Sequence, residues 1–356
     1  MFISALASLG DGGENRLRLP KVRHSVVVLV DGLGFENLRE TPAYARFLTQ
    51  NLNGSMRCEF PSTTATSIAG FATSVRSNQH GLIGYSAYDR NKKANVGLLT
   101  GWNSVDQALG FKRVPTVSEI AKEVKVFSIG PKAYEQTGFT ALTMPGASYL
   151  TAEGLGTRFE RVEEVIRSAE KTLSYVYVPE LDQIAHKNGV TSDRWLHALE
   201  ELDLIINRFS SKLGNDVGVL ITADHGVIDV LEENHVYLDD FDWYVKAVES
   251  TAGDPRCSFV YLEDREDLLS LKVKLQSEFG HEAYICEPHE LTAAGWLGVL
   301  DRGHNDYFPD LYVIWQSPKV SYDRRFAKPT HMKMIGQHGG ISDCETRVPL
   351  IRLGSY

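Results

Sequence analysis

Short apolar runs that stop at glycine or at an acidic residue set the rhythm of the first two-thirds of the chain. Residues 25–30 read SVVVLV and end at Asp31-Gly32-Leu33-Gly34. An unbroken β-branched run of this length predicts a strand buried on both faces, as in parallel sheets. Three further runs repeat the pattern at residues 124–129 (VKVFSI), 174–178 (SYVYV) and 217–222 (VGVLIT). Helical patterns lie between them. Residues 36–50 are expected to form a helix. Over residues 192–213, Trp195, Leu199, Leu202, Ile206, Phe209 and Leu213 recur at three- and four-residue spacing, with Ser192 as the cap. The alternation predicts an α/β fold: a doubly wound, mostly parallel sheet with helices on both faces.

From about residue 240 the rhythm changes. Residues 258–262, 283–286 and 310–315 read as strands, and residues 263–279 as a helix. The expected organisation is a catalytic core over residues 1–240, a small inserted α+β lobe over 241–320, and a return to the core over 321–356.

Composition narrows the function classes. With 37 basic and 46 acidic residues the formal charge is -9, which speaks against a nucleic-acid-coating surface. A small phosphorylated substrate remains compatible, because bound metal reverses the local field. The four cysteines at 58, 257, 286 and 344 form no CxxC pattern, so neither a disulfide framework nor a thiolate zinc site is expected. Scattered thiols fit a cytoplasmic location. Residues 1–9 lack a basic leader pattern and are read as a frayed terminus. No apolar run reaches the roughly 18 residues of a membrane helix.

Five polar clusters carry the chemistry, and the first four stand beside apolar runs, at the strand ends where open α/β sheets bind ligands. Asp31 closes the first strand. Pro61-Ser62-Thr63-Thr64 opens a Ser/Thr-rich segment. Its hydroxyls are either helix caps or, at that same helix end, a nucleophile facing a phosphoryl group. A hydroxyl is a weak nucleophile without a base or metal, and no histidine or lysine stands nearby in the sequence. Asp182 and His186 share a helical face at i, i+4. Asp224 and His225 precede Gly226. His338 lies between Gln337 and Gly339-Gly340. The set Asp31, Thr64, Asp182, His186, Asp224, His225 and His338 fits two zinc ions with nitrogen and oxygen ligands, with manganese as the other candidate. One ion would activate the Thr64 oxygen and the other would stabilise the leaving oxygen.

The order DG, P-x-x-T, D-x-x-x-H, ADHG and HGG, spanning Val26 to Ile351, resembles the alkaline phosphatase superfamily, and within it the type I phosphodiesterase/nucleotide pyrophosphatase branch. The resemblance implies that Asp182, His186 and His338 hold one zinc and Asp31, Asp224 and His225 the other. It makes Thr64, three residues after the proline, the nucleophile that forms a covalent phosphothreonine, with Thr63 as the rival. The implied activity is cleavage of a phosphodiester or pyrophosphate bond in a small, nucleotide-like molecule.

The diesterase branch carries an asparagine after an HG motif. Here the run His80-Gly81-Leu82-Ile83-Gly84-Tyr85 places Tyr85 at that position, as a substrate-binding residue whose hydroxyl can donate to phosphate. This departure keeps a phosphomonoesterase or phosphonate hydrolase in view, beside a metal-binding protein without turnover. Tyr85, Tyr88 and Trp102 could stack on a base, with packing as the default. His24, His197, His235, His281, His289, His304 and His331 belong to no motif and are read as structural or surface residues.

Overall fold

The computed structural model describes residues 1–102, 104–167, 170–299 and 307–356; His304 lies outside them. The apolar runs assemble into a seven-stranded sheet. Its order is Leu52–Arg57, Arg347–Gly354, Val217–Thr222, His24–Val30, Thr172–Val178, Lys125–Gly130, Ser148–Thr151. The last five are mutually parallel and Arg347–Gly354 runs antiparallel. His24–Val30 and Val217–Thr222 are buried at every position, because helices cover both faces. Val27 and Leu29 pack with Phe2 and Leu6 of helix Phe2–Ser8 and with Ile68 and Ala72 of helix Thr64–Thr73. Val26, Val28 and Val30 point the other way, onto Trp195, Leu199, Leu202, Ile206 and Phe209.

Three elements differ from expectation. Residues 36–50 form two helices, Phe35–Glu40 and Arg46–Gln50. Pro42 separates them, because proline disfavours helical backbone at Thr41 and removes a donor. The segment 263–279 divides into a 3₁₀ turn, Arg265–Asp267, and a helix, Leu268–Phe279. The N-terminal segment is not frayed: Phe2 is fully buried and its ring stacks 4.7 Å from Phe71. The helix predicted over 192–213 runs Asp193–Ser210, and Ser192 Oγ accepts the Trp195 N–H at 3.3 Å.

A four-stranded antiparallel sheet has the order Val248–Asp254, Cys257–Leu262, Leu311–Trp315, Ala283–Cys286. Val260, Val313 and Trp315 pack against Leu271 and Leu275 of helix Leu268–Phe279. The alternate residues Phe259, Tyr261, Tyr312 and Ile314 join the core cluster beneath the main sheet, so the smaller sheet is fastened onto the same body. Among the described residues, no helix is long and apolar enough to cross a membrane.

Candidate active site

The register of the central strands brings three aspartates together. Val30 pairs with Val178, and Leu29 with Thr222, so the three strand ends align. Asp31 follows the first strand directly. Asp182 lies in the first turn of helix Glu180–Asn188, which follows the second. Asp224 stands just beyond the third. The chain must turn tightly here: Gly32 has φ +72°, and a Cβ on it would sit 3.0 Å from the Asp182 Cβ. A Cβ on Gly226 would lie 2.0 Å from the Cys344 carbonyl oxygen, so only glycine follows His225.

Three histidines complete the cluster, each oriented by a backbone carbonyl. The Nδ1 atoms of His186, His225 and His338 lie 2.7, 3.2 and 3.0 Å from the carbonyl oxygens of Gly336, Gly226 and Ser62. A carbonyl only accepts, so each Nδ1–H donates to it and Nε2 is the nitrogen left for the cluster, the orientation of metal-ligating histidine. Ser62 also accepts from the Gly339 N–H at 3.2 Å and donates to the Gly340 carbonyl at 2.8 Å, which fixes the His338 loop.

Two ligand groups result: Asp31, Asp224 and His225, and Asp182, His225 and His338, with ligand atoms in each group within 4.8 Å of one another and all five residues buried. The second group takes His225 where the family resemblance placed His186. His186 stands beside it, its Nε2 3.1 Å from Asp182 Oδ2.

The donor set fits metal cations. Asp31 Oδ1, Asp182 Oδ1 and Asp224 Oδ2 are buried and accept no hydrogen bond, a costly state for carboxylates without a counter-charge. Burial raises the Asp31 pKa well above the usual carboxylate range, and the Asp224 and Asp182 charges raise it further. Burial likewise raises Asp224. Burial alone would depress His186, but the Asp182 carboxylate outweighs it and brings its pKa to about 9. Asp182 is correspondingly held low by His186, against its own burial. A proton between these two residues thus occupies a place that favours positive charge.

Thr64 begins helix Thr64–Thr73, and its Oγ lies 3.2 Å from His225 Nε2. The fold therefore supplies the histidine neighbour that the local sequence lacks. Thr63, at the N-cap, makes no side-chain capping bond, so its hydroxyl does not occupy the first-turn N–H groups, which have no intrahelical acceptor. Both threonines line one cavity with Asp31, Asp182, His186 and His338.

The type I phosphodiesterase/nucleotide pyrophosphatase model matches residues 25–340. The chain belongs to that family. Solved structures share the family fold. Murine ectonucleotide pyrophosphatase/phosphodiesterase 5 aligns with a TM-score of 0.69 at 14% identity over 92% of this chain and 87% of its own. An inactive form of that protein in complex with AMP aligns at 0.67 and 14% identity, with the same coverage. Phosphonoacetate hydrolase from Sinorhizobium meliloti 1021, in complex with phosphonoacetate, aligns at 0.70 and 15% identity over 94% and 91%. A search of curated protein sequences returns no match.

The fold of this family member gathers all seven motif residues, and adds others. The cavity measures about 760 Å³ and is lined by Tyr85, Trp102, Tyr134, Phe139, Tyr149 and Tyr177 among others. Trp102 both lines the cavity and packs, its ring 4.9 Å from Phe111, and the Tyr85 ring lies edge-on to His331, centroids 5.6 Å apart. Tyr88 follows the packing default, buried with its hydroxyl donating to Glu249 Oε1 at 2.8 Å. The Tyr85 hydroxyl lies 3.5 Å from Thr100 Oγ1. Tyr177 donates a hydrogen bond to Asp31 Oδ2, a role sequence reasoning missed. The signal was the alternation Tyr175-Val176-Tyr177 at a strand end, which sends both tyrosines to one face. Among the unassigned histidines, His24 is buried in its strand against Thr172 Oγ1, 2.9 Å away.

Proposed function

We propose that this chain is a two-zinc phosphoester hydrolase that cleaves a phosphodiester or pyrophosphate bond in a small, nucleotide-like molecule. Thr64 is the nucleophile in this reading, and the four unpaired cysteines favour the cytoplasm as its location. The observation that carries it is the placement of Thr64 Oγ at the start of a ten-residue helix, 3.2 Å from the histidine common to both ligand groups.

Asp31, Asp224 and His225 would hold one cation, and Asp182, His338 and His225 or His186 the other. The mixed imidazole and carboxylate set favours zinc, with manganese as the substitute. Such a pair, when bound, supplies Lewis acidity that lowers the pKa of a hydroxyl or water and offsets phosphoryl charge. The chain's own residues do the rest. Thr64 Oγ forms a bond to phosphorus as the bond to the leaving oxygen breaks, and the proton given up by the Thr64 hydroxyl balances the one taken by the departing alcohol or phosphate. First-turn N–H groups and the helix dipole receive a phosphoryl oxygen. Water then cleaves the phosphothreonine, which in a diesterase still carries one ester group. Tyr85, at the cavity wall, is positioned to donate to the phosphoryl group or its ester.

The zinc-loaded protein and its Thr64→Ala variant are compared on bis-p-nitrophenyl phosphate and p-nitrophenyl phosphate. The expected result is a diester preference, with kcat at least about 1,000-fold lower in the variant, the scale of nucleophile loss in other hydrolases. Full activity in Thr64→Ala moves the role to Thr63. A monoester preference moves the enzyme to the monoesterase reading.

A further inference from the structure

Tyr85 stands where two cavities meet. It lines the large cavity of the metal cluster and a second one of about 310 Å³, and Thr100 borders both. Side chains hold it loosely. Tyr85 is partly exposed, its ring meets His331 edge-on, and its hydroxyl is 3.5 Å from Thr100 Oγ1. The smaller cavity leaves the ring room to swing away from the cluster, so its placement depends on the backbone. The anchor comes from the tip of the smaller sheet. Strands Val248–Asp254 and Cys257–Leu262 pair as far as Asp254 and Cys257, and Pro255 and Arg256 make the turn. Gly253 has φ +83°, and a Cβ on it would sit 2.5 Å from the Cys257 carbonyl oxygen, so the tip needs glycine there.

Asp254 is buried, and its Oδ2 accepts the Tyr85 N–H at 3.3 Å. Ser86 Oγ donates to the Gly253 carbonyl and accepts the Gly253 N–H, both at 3.1 Å. The Tyr85 carbonyl accepts the Leu98 N–H at 2.7 Å, which secures its other side. The same tip abuts the His338 loop: a Cβ on Gly339 would lie 2.7 Å from the Asp254 Cβ. Asp254 itself lines the smaller cavity, so any effect it has on phosphoryl transfer passes through Tyr85. We propose that Asp254 is a positioning residue: by holding the Tyr85 N–H, its carboxylate keeps the Tyr85 hydroxyl on the cluster's side of the boundary between the two cavities, where it can donate to the phosphoryl group. This rests on the hydrolase reading above and on Tyr85 as its phosphate donor.

The test is a double-variant cycle on the zinc-loaded protein with bis-p-nitrophenyl phosphate. Tyr85→Phe is expected to lower kcat at least about tenfold, because a donor to developing phosphoryl charge is lost. Asp254→Ala is expected to lower kcat at least about tenfold in the parent, as misplacement of a group in the site does, but less than about threefold in Tyr85→Phe. Asp254→Asn, whose amide oxygen still accepts the Tyr85 N–H, is expected to recover kcat to within about threefold of the parent. Asp254→Ser, whose hydroxyl is one bond too short to reach that N–H, runs the same cycle alongside, so the test survives if Asp254→Ala does not fold. Zinc affinity, read by competition with a dye, is expected to stay within about threefold of the parent, well short of the loss seen when a ligand's own support is removed. Equal losses from Asp254→Ala or Asp254→Ser in both backgrounds, or a fall in zinc affinity that matches the fall in kcat, overturns the proposal, as does an Asp254→Asn protein as slow as Asp254→Ala. Full activity of Tyr85→Phe, with turnover lost in Thr64→Ala, overturns the proposal and leaves the hydrolase reading intact. No turnover, or turnover indifferent to Thr64, overturns both.

Discussion

Replacing Glu345 by glutamine removes one charge from a fully buried ion pair. Arg256 and Glu345 have fully buried side chains. Arg256 Nε and Nη2 donate to the two Glu345 oxygens at 3.1 and 2.9 Å. Its remaining donors reach the carbonyls of Trp315, Ser317 and Lys319, so every guanidinium N–H is used. The Glu345 carboxylate also accepts from the Gly340 N–H at 2.8 Å and the Ser342 hydroxyl at 2.6 Å. Glu345→Gln keeps the volume but strands a buried cation and turns an amide NH₂ toward other donors. Removing one partner of such a pair costs about 3–5 kcal/mol, about a fifth or more of a typical total stability of roughly 5–15 kcal/mol. The pair also ties the smaller sheet to the His338 loop, so zinc binding is expected to weaken at least about tenfold, within the range for residues that orient ligands. Urea denaturation of the metal-free protein, followed by tryptophan fluorescence, measures the first effect, and competition with a zinc-binding dye the second. The Arg256→Met/Glu345→Gln double variant is expected to lose less than the sum of the two single losses, by at least about 1 kcal/mol, because neither charge is then stranded. A Glu345→Gln protein within about 1 kcal/mol of the parent would refute the reasoning.

Other outcomes follow from the same structure. His80 is buried, its Nδ1 accepts the Leu82 N–H at 3.2 Å, and burial lowers its pKa from 6.5 to about 3. The unfolded chain therefore takes up this proton first as pH falls below 6.5, and stability is lost progressively down to the folded value. Between pH 7.5 and 5 the His80 contribution is about 2 kcal/mol, so denaturation midpoints of His80→Gln are expected to be correspondingly less sensitive to acid; equal sensitivity refutes this. Saturating zinc at about 100 times its dissociation constant is expected to stabilise the protein by about 2.7 kcal/mol, and a chelator reverses the shift in Tm. Asp224→Asn is expected to abolish most of that shift, and a shift of unchanged size would remove Asp224 from the ligand set. Tyr177→Phe deletes the hydroxyl that donates to Asp31, and zinc affinity is expected to fall about 10- to 100-fold while the fold persists, as read by titration and circular dichroism.

Much of the fold was legible before any coordinates. The runs SVVVLV and VGVLIT read as strands buried on both faces because they contain no polar alternation, and they became central strands of the sheet. The helix behind Ser192 was equally plain, since its apolar stripe repeats over five turns. Residues 36–50 read as one helix from their pattern alone, but Pro42 divides them, because proline punctuates the chain more strongly than a weak apolar stripe. The frayed N-terminus was misread for another reason. A seven-residue helix has little propensity of its own, and only contacts such as Phe2 on Phe71 hold it.

The site divides in the same way. The residue types Asp31, Thr64, Asp182, His186, Asp224, His225 and His338 stood out because each motif sits at a turn or helix start, where short-range geometry alone exposes a side chain to ligand. The sequence by itself determined those local placements and the chemical character of the donor set. Tertiary structure decided that His225 belongs to both ligand groups and touches Thr64, that Tyr177 braces Asp31, and that Arg256 meets Glu345. It also decided that Trp102, Tyr134, Phe139 and Tyr149 share one cavity with the cluster. Each of these joins segments brought together only by strand order and packing, so no local pattern in the chain encodes it.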